Sequence, residues 1–495
     1  MRRSPGFTVL FLTVWLFAGC SDRPPAAGEV RELSVWAHAG REAERVTLEA
    51  QLRRFEARHP GVGVQLTFIP EGSYNGQVQA AALAGRLPDL LELDGPYLYS
   101  YAWQRRLRPL DDLLPESVRR DLLPSLITQG TWRERLYGVG MFDSGLGLWA
   151  DRRALAQAGV RVPAGPEDAW DGDEFRTVLE RLAARSADGR VLDLKLNYTD
   201  EWFTYAFSPL IQSAGADLVH RENGRGASGA LDSPAAVRAM VEVRHWIRSG
   251  YVDPNLDDAA FVQGRVALAW GGHWNYPAYR AALGEDLLLL PLPRLGPRLA
   301  TGQGSWQWAL TREAREPDLA AALLAFLLEP EQVLEMTGAN GAVPGTHRAA
   351  AESPDYGPGG PLHLFVRQLQ ESYAVPRPRT PAYPVITAAF ARAFRDIRHG
   401  APVQETLART ARHIDREMAA NHFYPDVEAA RGALRPRGRG ADARTSTGYA
   451  NLLHCDAGRV SARRYMGAFG PLRRPEGRPT VDDAGMPAAS GTLLP

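Results

Sequence analysis

Aromatic rings, glycine and polar side chains recur together at six places where a strand is predicted to end. The six segments are Trp36–Gly40, Glu92–Tyr97, Phe142–Gly145, Glu201–Tyr205, Trp270–Trp274 and Gly304–Trp308. A sugar needs such a mixture, because a flat ring covers its C–H face while carboxylates, amides or guanidinium groups bond its hydroxyls. Ligands of open α/β sheets bind at the carboxyl ends of strands, where glycine allows close approach to the backbone. Any single tryptophan is more often core, but the recurrence predicts a carbohydrate-binding site.

Motifs for other chemistry are missing from the sequence. It contains no Gly-x-Ser-x-Gly elbow, no P-loop and no His-Glu-x-x-His, and its single lysine, Lys195, lies outside any Ser-x-x-Lys motif. The histidines lack the spacing of metal ligands, so we expect no metal, no cofactor and no catalytic residue. Carboxylates are plentiful, however, and no spacing identifies or excludes a pair that flanks a glycosidic bond. An anchored glycosidase or lyase therefore stays the alternative function.

The elements that would position these segments alternate along the chain. Hydrophobic patterns predict strands at 33–36, 62–69 and 89–93 and helices at about 42–59 and 77–85. Further strands are expected at 145–150 and 266–270, and further helices at 173–185 and 318–328. Strand–helix alternation of this kind is typical of a parallel sheet covered by helices. The fold class is therefore predicted to be α/β.

The beginning of the chain has the pattern of an export signal. Basic residues precede the apolar stretch Phe7–Ala18, which is too short for a bilayer span of about 20 residues. Gly19 and Cys20 follow directly, and the junction resembles the lipobox of bacterial lipoproteins, in which the cysteine becomes the lipid-modified N-terminus. We expect a signal peptide at 1–19 and a lipidated Cys20 with its tether at 20–31. The alternative is an ordinary secretory signal with a chance cysteine.

Composition argues against a nucleic-acid partner and distinguishes the last seventy residues from the rest of the chain. Fifty-seven basic and 57 acidic residues balance, so no overall field attracts nucleic acid. If Cys20 carries lipid, the second cysteine, Cys455, has no partner, and the fold does not depend on a disulfide. Residues 426–495 are rich in arginine, proline and glycine with little apolar periodicity, and are predicted to be disordered.

From about Leu33 to about Met418 the chain resembles the extracellular solute-binding proteins of bacterial sugar ABC transporters, the class that includes maltose-binding protein. The matching segments are 68–75, 87–97, 136–139, 271–274, 340–344 and 377–383. The resemblance implies the two-lobe periplasmic-binding-protein fold of type II, with the ligand cleft between lobes joined by hinge crossings. Lobe 1 would comprise 32–142 plus about 300–330, and lobe 2 would comprise 143–299 plus about 331–425.

The resemblance also implies roles for individual residues. Trp274 falls where these proteins stack a tryptophan on the sugar, Asp94 and Tyr97 match the loop after the third strand, and Asp143 and Ser144 match the first crossing. Together with the strand-end segments, it gives the full predicted set of ligand-binding residues: His38, Tyr74, Asp94, Tyr97, Asp143, Ser144, Glu201, Trp202, Tyr205, Trp274, Trp306 and Arg379.

The resulting expectation is a monomeric, lipid-anchored receptor outside the cytoplasm. It would capture a sugar or oligosaccharide by lobe closure and deliver it to the permease subunits of an ABC transporter. Besides the anchored enzyme, two functions stay open: a receptor for a different solute, such as a polyamine, peptide or metal chelate, and a receptor that feeds a sensor.

Overall fold

The computed structural model describes residues 30–222 and 224–425. The predicted signal peptide, Cys20, most of the tether and the 426–495 tail lie outside these residues. The strands are β1 Arg31–His38, β2 Val62–Ile69, β3 Leu90–Asp94, β4 Thr131–Trp132, β5 Arg135–Leu136, β6 Phe142–Asp143, β7 Leu146–Asp151, β8 Leu192–Asp193, β9 Leu268–Gly272, β10 Leu287–Leu290, β11 Thr301–Gln303, β12 Trp306–Leu310, β13 Val343–Pro344 and β14 Ala374–Pro376.

The α-helices pack around the sheets that these strands form. They are α1 Glu42–Arg58, α2 Glu71–Ala84, α3 Leu98–Trp103, α4 Glu116–Asp121, α5 Pro124–Gly130, α6 Arg152–Gln157, α7 Gly172–Ala183, α8 Glu201–Ser213, α9 Pro234–Arg248, α10 Tyr276–Leu283, α11 Pro317–Leu327, α12 Pro330–Asn340, α13 His347–Glu352, α14 His363–Gln370, α15 Tyr383–Arg398 and α16 Val403–Ala420.

The first sheet has the strand order β12-β3-β1-β2. Strand β1 pairs in parallel with β2 and β3, as the sequence predicts, whereas β12 joins the edge of β3 antiparallel. Leu48, Leu52 and Phe55 of α1 are buried in the core on one face of this sheet, because their spacing puts all three on one side of the helix. Helix α12 packs against α1, and Gln51 Nε2 donates to the Gln332 carbonyl at 2.8 Å.

The second sheet has the strand order β10-β7-β9-β8 and is mixed. Strand β7 pairs antiparallel with both β10 and β9, while β8 and β9 are parallel. Helices α7, α8, α9, α15 and α16 contribute to the large core beside this sheet. Phe394 of α15 stacks on Phe203 and Phe207 of α8, with ring centroids 4.7 and 4.4 Å apart. Each sheet with its helices forms one lobe.

Short paired segments lie where the chain passes between the two sheets. Strand β6 pairs with β13, and β11 pairs with β14, while Gly145 forms an isolated bridge with Gln303. Strands β3 and β9 end, and β12 begins, beside these crossings, and polar and aromatic residues of the sequence lie at these strand termini. The fold thereby brings side chains of both lobes to one place.

Candidate functional site

The first lobe contributes residues from the ends of three neighbouring strands. Trp306 begins β12 opposite Asp94, the last residue of β3. His38, at the end of β1, stacks on Trp306 with ring centroids 4.0 Å apart and an angle of 3° between the planes. The ring of Tyr74 is nearly perpendicular to that of Trp306, with centroids 5.0 Å apart, and its hydroxyl donates to the Glu92 carbonyl. This lobe therefore presents an aromatic wall with a carboxylate beside it.

His38 is a cation at neutral pH in this environment. Its Nδ1 lies 2.7 Å from Glu92 Oε2, and both side chains are largely buried. Burial alone lowers the pKa of His38, but the Glu92 carboxylate, with smaller contributions from Glu44 and Glu71, outweighs burial and raises the pKa to about 9. The charged ring is held against Trp306 on the side of the first lobe.

The second lobe contributes a group of rings. Trp274 follows β9 and is partly buried, with its ring centroid 6.1 Å from that of Trp202 and 6.2 Å from that of Tyr205. Trp202 Nε1 donates to the Leu194 carbonyl at 3.2 Å, which fixes that indole. The Tyr205 hydroxyl lies 2.9 Å from Ser144 Oγ in the first crossing. Four of the predicted residues thus come together on this side.

Arg377 joins the two lobes. It lies directly after β14, and its guanidinium contacts Asp94 of the first lobe at 3.1 Å and Glu201 of the second at 2.5 Å. The same guanidinium lies over the Tyr205 ring, 4.8 Å from its centroid. Only 7% of the Arg377 side chain is exposed, against 11% and 14% for the two carboxylates. We call Asp94, Arg377 and Glu201 the ion triad.

Neighbouring hydroxyl groups hold Glu201 in place. Thr387 Oγ1 donates to Glu201 Oε2 at 2.7 Å, and the Tyr383 hydroxyl donates to Oε1. Burial raises the pKa of Glu201 to about 7 although Arg377 opposes the shift, and the nearby Asp94 raises it further. Burial also raises the pKa of Asp94 against the opposing effect of Arg377. Two carboxylates therefore share one guanidinium, and the triad is sensitive to any group that adds or removes charge.

Two predicted residues, Asp143 and Tyr97, lie beside the cluster formed by the ion triad and the aromatic rings around it. Asp143 is fully buried and accepts from Gln129 Nε2 at 3.1 Å and from Gln303 Nε2 at 3.3 Å, and burial raises its pKa. Tyr97 is buried with its ring edge-on to Tyr383 at 5.7 Å. Both residues therefore border the groups that form the cluster.

Arg379 is exposed and points elsewhere. Its Nη2 donates to the Thr131 carbonyl at 2.7 Å, and its guanidinium lies 5.8 Å from the centroid of Tyr99. The residue in the cluster is instead Arg377, two positions earlier, which the predicted set does not contain. Arg377 is the first residue after β14, so its strand-end position would be a signal only if that three-residue strand could be recognised in the sequence.

The described residues include neither a metal centre nor a membrane span. Within 30–222 and 224–425, no group of three or more His, Cys, Asp or Glu side chains could hold a metal ion. In the same ranges no helix has both the length and the apolar composition to cross a membrane.

The sequence profile of one protein family matches residues 39–334, which is more than half of the chain. That family is described as bacterial extracellular solute-binding proteins. The chain belongs to this family. The predicted relationship is therefore confirmed, and the family consists of binding proteins that act outside the cytoplasm.

Solved structures confirm the two-lobe type II fold of this solute-binding protein. The GacH receptor of Streptomyces glaucescens, solved unliganded and with acarbose and an acarbose homolog, has a TM-score of 0.67 with 21% identity. The alignment covers 80% of this chain and 99% of that receptor.

Two curated relatives match smaller shares of this chain. An uncharacterised lipoprotein from the oleD 5′ region of Streptomyces antibioticus is 28% identical over 43% of this chain and 45% of its own length. An uncharacterised ABC transporter extracellular-binding protein of Pyrococcus horikoshii is 21% identical over 71% of this chain and 79% of its own. The solute-binding protein thus spans about half the length of the first of these relatives.

Proposed function

We propose that this solute-binding protein captures a sugar or oligosaccharide between its lobes and delivers it to an ABC permease. The observation that carries the proposal is the ion triad, in which Arg377 joins Asp94 of one lobe to Glu201 of the other. Partly buried Trp274 and Trp306 lie on the two sides of the cluster. A sugar is recognised by charged groups that bond its hydroxyls and by indole faces that cover its C–H surface, and both kinds of group occur here.

The chemistry of the cluster supports a hydroxyl-rich ligand. Carboxylates accept from sugar hydroxyls and guanidinium groups donate to them, and hydrogen bonds to charged groups are about twice as strong as neutral ones. The similar receptor from S. glaucescens was solved with acarbose, and the relative from P. horikoshii is described as an ABC transporter binding protein. The first description supports a saccharide ligand for this chain, and the second supports a permease partner.

Closure of the lobes would follow from the position of the triad. A ligand that bonds Asp94, Arg377 and Glu201 contacts both lobes at once, and it favours the closed form only by its extra affinity for that form. Closing excludes water, so each hydroxyl bond becomes electrostatically stronger and each unpaired polar group becomes costly. We assign ligand contacts to His38, Ser144 and Tyr205 in addition to the triad and the two tryptophans.

The remaining predicted residues support these contacts in our proposal. Tyr74 and Trp202 hold the tryptophan rings, while Tyr97 and Asp143 lie against Tyr383 and beside Ser144. Arg379 stays a prediction, and its contacts with Thr131 and Tyr99 put it outside the cluster.

We also propose that Cys20 carries a lipid anchor outside the cytoplasm and that the protein acts as a monomer. The lipobox-like sequence supports the anchor, as does the relative from S. antibioticus, which is described as a lipoprotein. Two acyl chains or more hold a protein firmly, since each buried CH₂ contributes about 0.8 kcal/mol. The receptor would remain near its permease and release its sugar unchanged.

A thermal-shift screen of the processed protein against mono- and oligosaccharides tests the proposal. A ligand present at about 100 times its Kd stabilises a protein by about 2.7 kcal/mol, so a true ligand gives a clear rise in Tm. Polyamines and short peptides serve as the comparison set. Stabilisation by these and by no saccharide would overturn the assignment of the ligand class, and saccharide cleavage products would favour the anchored enzyme.

A further inference from the structure

A second arginine crosses between the lobes at a separate place. Arg41 immediately precedes α1 in the first lobe. Its Nη2 lies 3.2 Å from the Tyr198 hydroxyl, 3.3 Å from Asp258 Oδ2 and 3.4 Å from Asn275 Oδ1. All three partners belong to the second lobe and come from different segments of the chain. One side chain thus gathers three segments of the opposite lobe.

Asp258, the charged partner of Arg41, is itself held by a buried cation. Lys195 Nζ lies 2.8 Å from Asp258 Oδ1 and 2.7 Å from Asp193 Oδ2, and the lysine side chain is fully buried. It is the single lysine among 57 basic residues. A compact ammonium group fits between two carboxylates where a planar guanidinium needs more room, which explains a lysine at this one position.

The loop that carries Asp258 is fixed from within its own lobe. Asn255 adopts a φ of +53°, and its Nδ2 donates to Asp193 Oδ1 at 2.6 Å while its Oδ1 accepts from the Leu196 amide at 3.0 Å. Lys195 and Asn255 therefore position Asp258 without any help from Arg41. The second lobe offers a preformed acceptor to which the first lobe supplies the donor.

The partial solvent exposure of Arg41 and Asp258 is compatible with an ion pair that forms and breaks as the lobes close and open. Arg41 is 47% exposed and Asp258 is 34% exposed on their side chains, whereas the Arg377 side chain is 7% exposed. A partly solvated ion pair is weak and is screened by salt, so water can replace it at little cost when the lobes separate. The buried Lys195 remains with its own lobe throughout.

We propose that Arg41 is a latch that closes onto the acceptor formed by Asp258, Tyr198 and Asn275, with Lys195 as its positioning residue. The latch rests on the closure mechanism proposed above and adds to it a contact that needs no ligand. It sets the ratio of closed to open unliganded protein, and through that ratio it sets the apparent affinity for the sugar. Its loss should act mainly on the rate of ligand release.

Single-molecule FRET on the unliganded full chain tests the latch without knowledge of the sugar. Fluorophores are placed on exposed positions of opposite lobes through Ala80→Cys and Arg238→Cys, with Cys20 and Cys455 replaced by serine. Arg41→Ala is expected to lower the closed-to-open ratio about three- to tenfold, as the loss of a few solvated polar contacts implies. A smaller shift in the same direction is expected in the unsubstituted protein at 0.5 M salt, because salt screens the ion pair with Asp258 and leaves the contacts with Tyr198 and Asn275.

Matched variants separate the latch from a general effect of charge. Arg53→Ala removes an exposed arginine of α1, the helix that Arg41 precedes, and its 3.7 Å ion pair with Glu49 stays within that helix. This variant is expected to leave the ratio unchanged. Asp258→Asn should reproduce the effect of Arg41→Ala, and the double variant should add little to either one.

An Arg41→Ala distance distribution identical to that of the unsubstituted protein would overturn the latch, even if sugar affinity fell, because Arg41 would then act as a ligand contact. Additive effects of Arg41→Ala and Asp258→Asn would overturn it as well. Failure of every saccharide to bind is a separate result: it refutes the proposed function, while the measurement on unliganded protein still decides the latch.

Discussion

At the scale of residues, the candidate site combines two kinds of group with different tasks. The ion triad supplies directional, charge-assisted hydrogen bonds, and the partly buried indoles supply flat apolar surface. Neither group alone distinguishes a sugar from another polar solute. Their juxtaposition across the two lobes makes the saccharide the best-supported ligand, and single substitutions can test each kind of group.

The first prediction concerns the indole of Trp274. Trp274→Ala is expected to raise the Kd for the sugar more than tenfold, because loss of a stacking ring removes apolar contact worth about 1.5–3 kcal/mol. Calorimetric titration measures the effect, and circular dichroism checks that the fold persists. Trp132→Ala, at a partly buried position in the β4–β5 hairpin of the other lobe, is the control. Equal losses in both variants would remove Trp274 from the site.

The second prediction concerns the His38–Glu92 pair. Because the pKa of His38 is raised from 6.5 to about 9, the folded protein binds this proton more tightly than the unfolded chain does. The pair's stabilisation is therefore fully present below about pH 6.5 and is lost as pH rises through about 9, a total of about 3 kcal/mol. Urea unfolding at pH 6 and pH 9.5 should show this loss in the unsubstituted protein and a smaller one in His38→Gln. Parallel pH dependence in the two proteins would contradict it.

At the scale of elements, strand ends explain which parts of the site could be predicted. His38 and Asp94 end strands, and Trp274 follows a strand, whose apolar runs are evident in the sequence, so the positions of these residues at the edges of their sheets could be expected. Trp306 instead begins β12, a strand that the hydrophobic patterns do not predict. Arg377 escapes prediction because β14 has three residues and no clear pattern. The antiparallel pairing of β12 with β3 is likewise a long-range contact that local periodicity does not encode.

The third prediction concerns the turn before β12. Gly304 has a φ of +153°, and a Cβ at this position would lie 2.2 Å from Arg377 Nη2. Gly304→Ala should displace the guanidinium from the triad and raise the Kd for the sugar about tenfold or more, since charge-assisted bonds are lost. Gly338→Ala in α12 meets no atom within 4 Å and is expected to keep the affinity. An unaffected Kd in Gly304→Ala would show that Arg377 does not bind the ligand.

At the scale of the whole molecule, the two-lobe α/β fold could be predicted from the sequence because strand–helix alternation and the family-like segments extend over most of the chain. The contacts proposed to control lobe closure could not be predicted from the sequence, because they join residues more than 200 positions apart, such as Arg41 and Asp258. A similarly long separation lies between Asp94 and Arg377. Long-range pairs of this kind need the folded coordinates.

The fourth prediction concerns the anchor. Cys20→Ser is expected to move the protein from the membrane fraction to the soluble extracytoplasmic fraction, because no acyl chain can then be attached. Immunoblots of fractionated cells measure this, with sugar affinity of the released protein as the control for folding. Retention of Cys20→Ser in the membrane fraction would contradict a lipid anchor at this residue.

Calorimetric titration with the saccharide that stabilises the protein most tests the central claim directly. We expect one site per chain, a Kd near micromolar, which corresponds to about −8 kcal/mol, and recovery of the saccharide unchanged. No binding heat with any saccharide, or heat accompanied by cleavage products, would contradict a receptor that holds a sugar between its lobes.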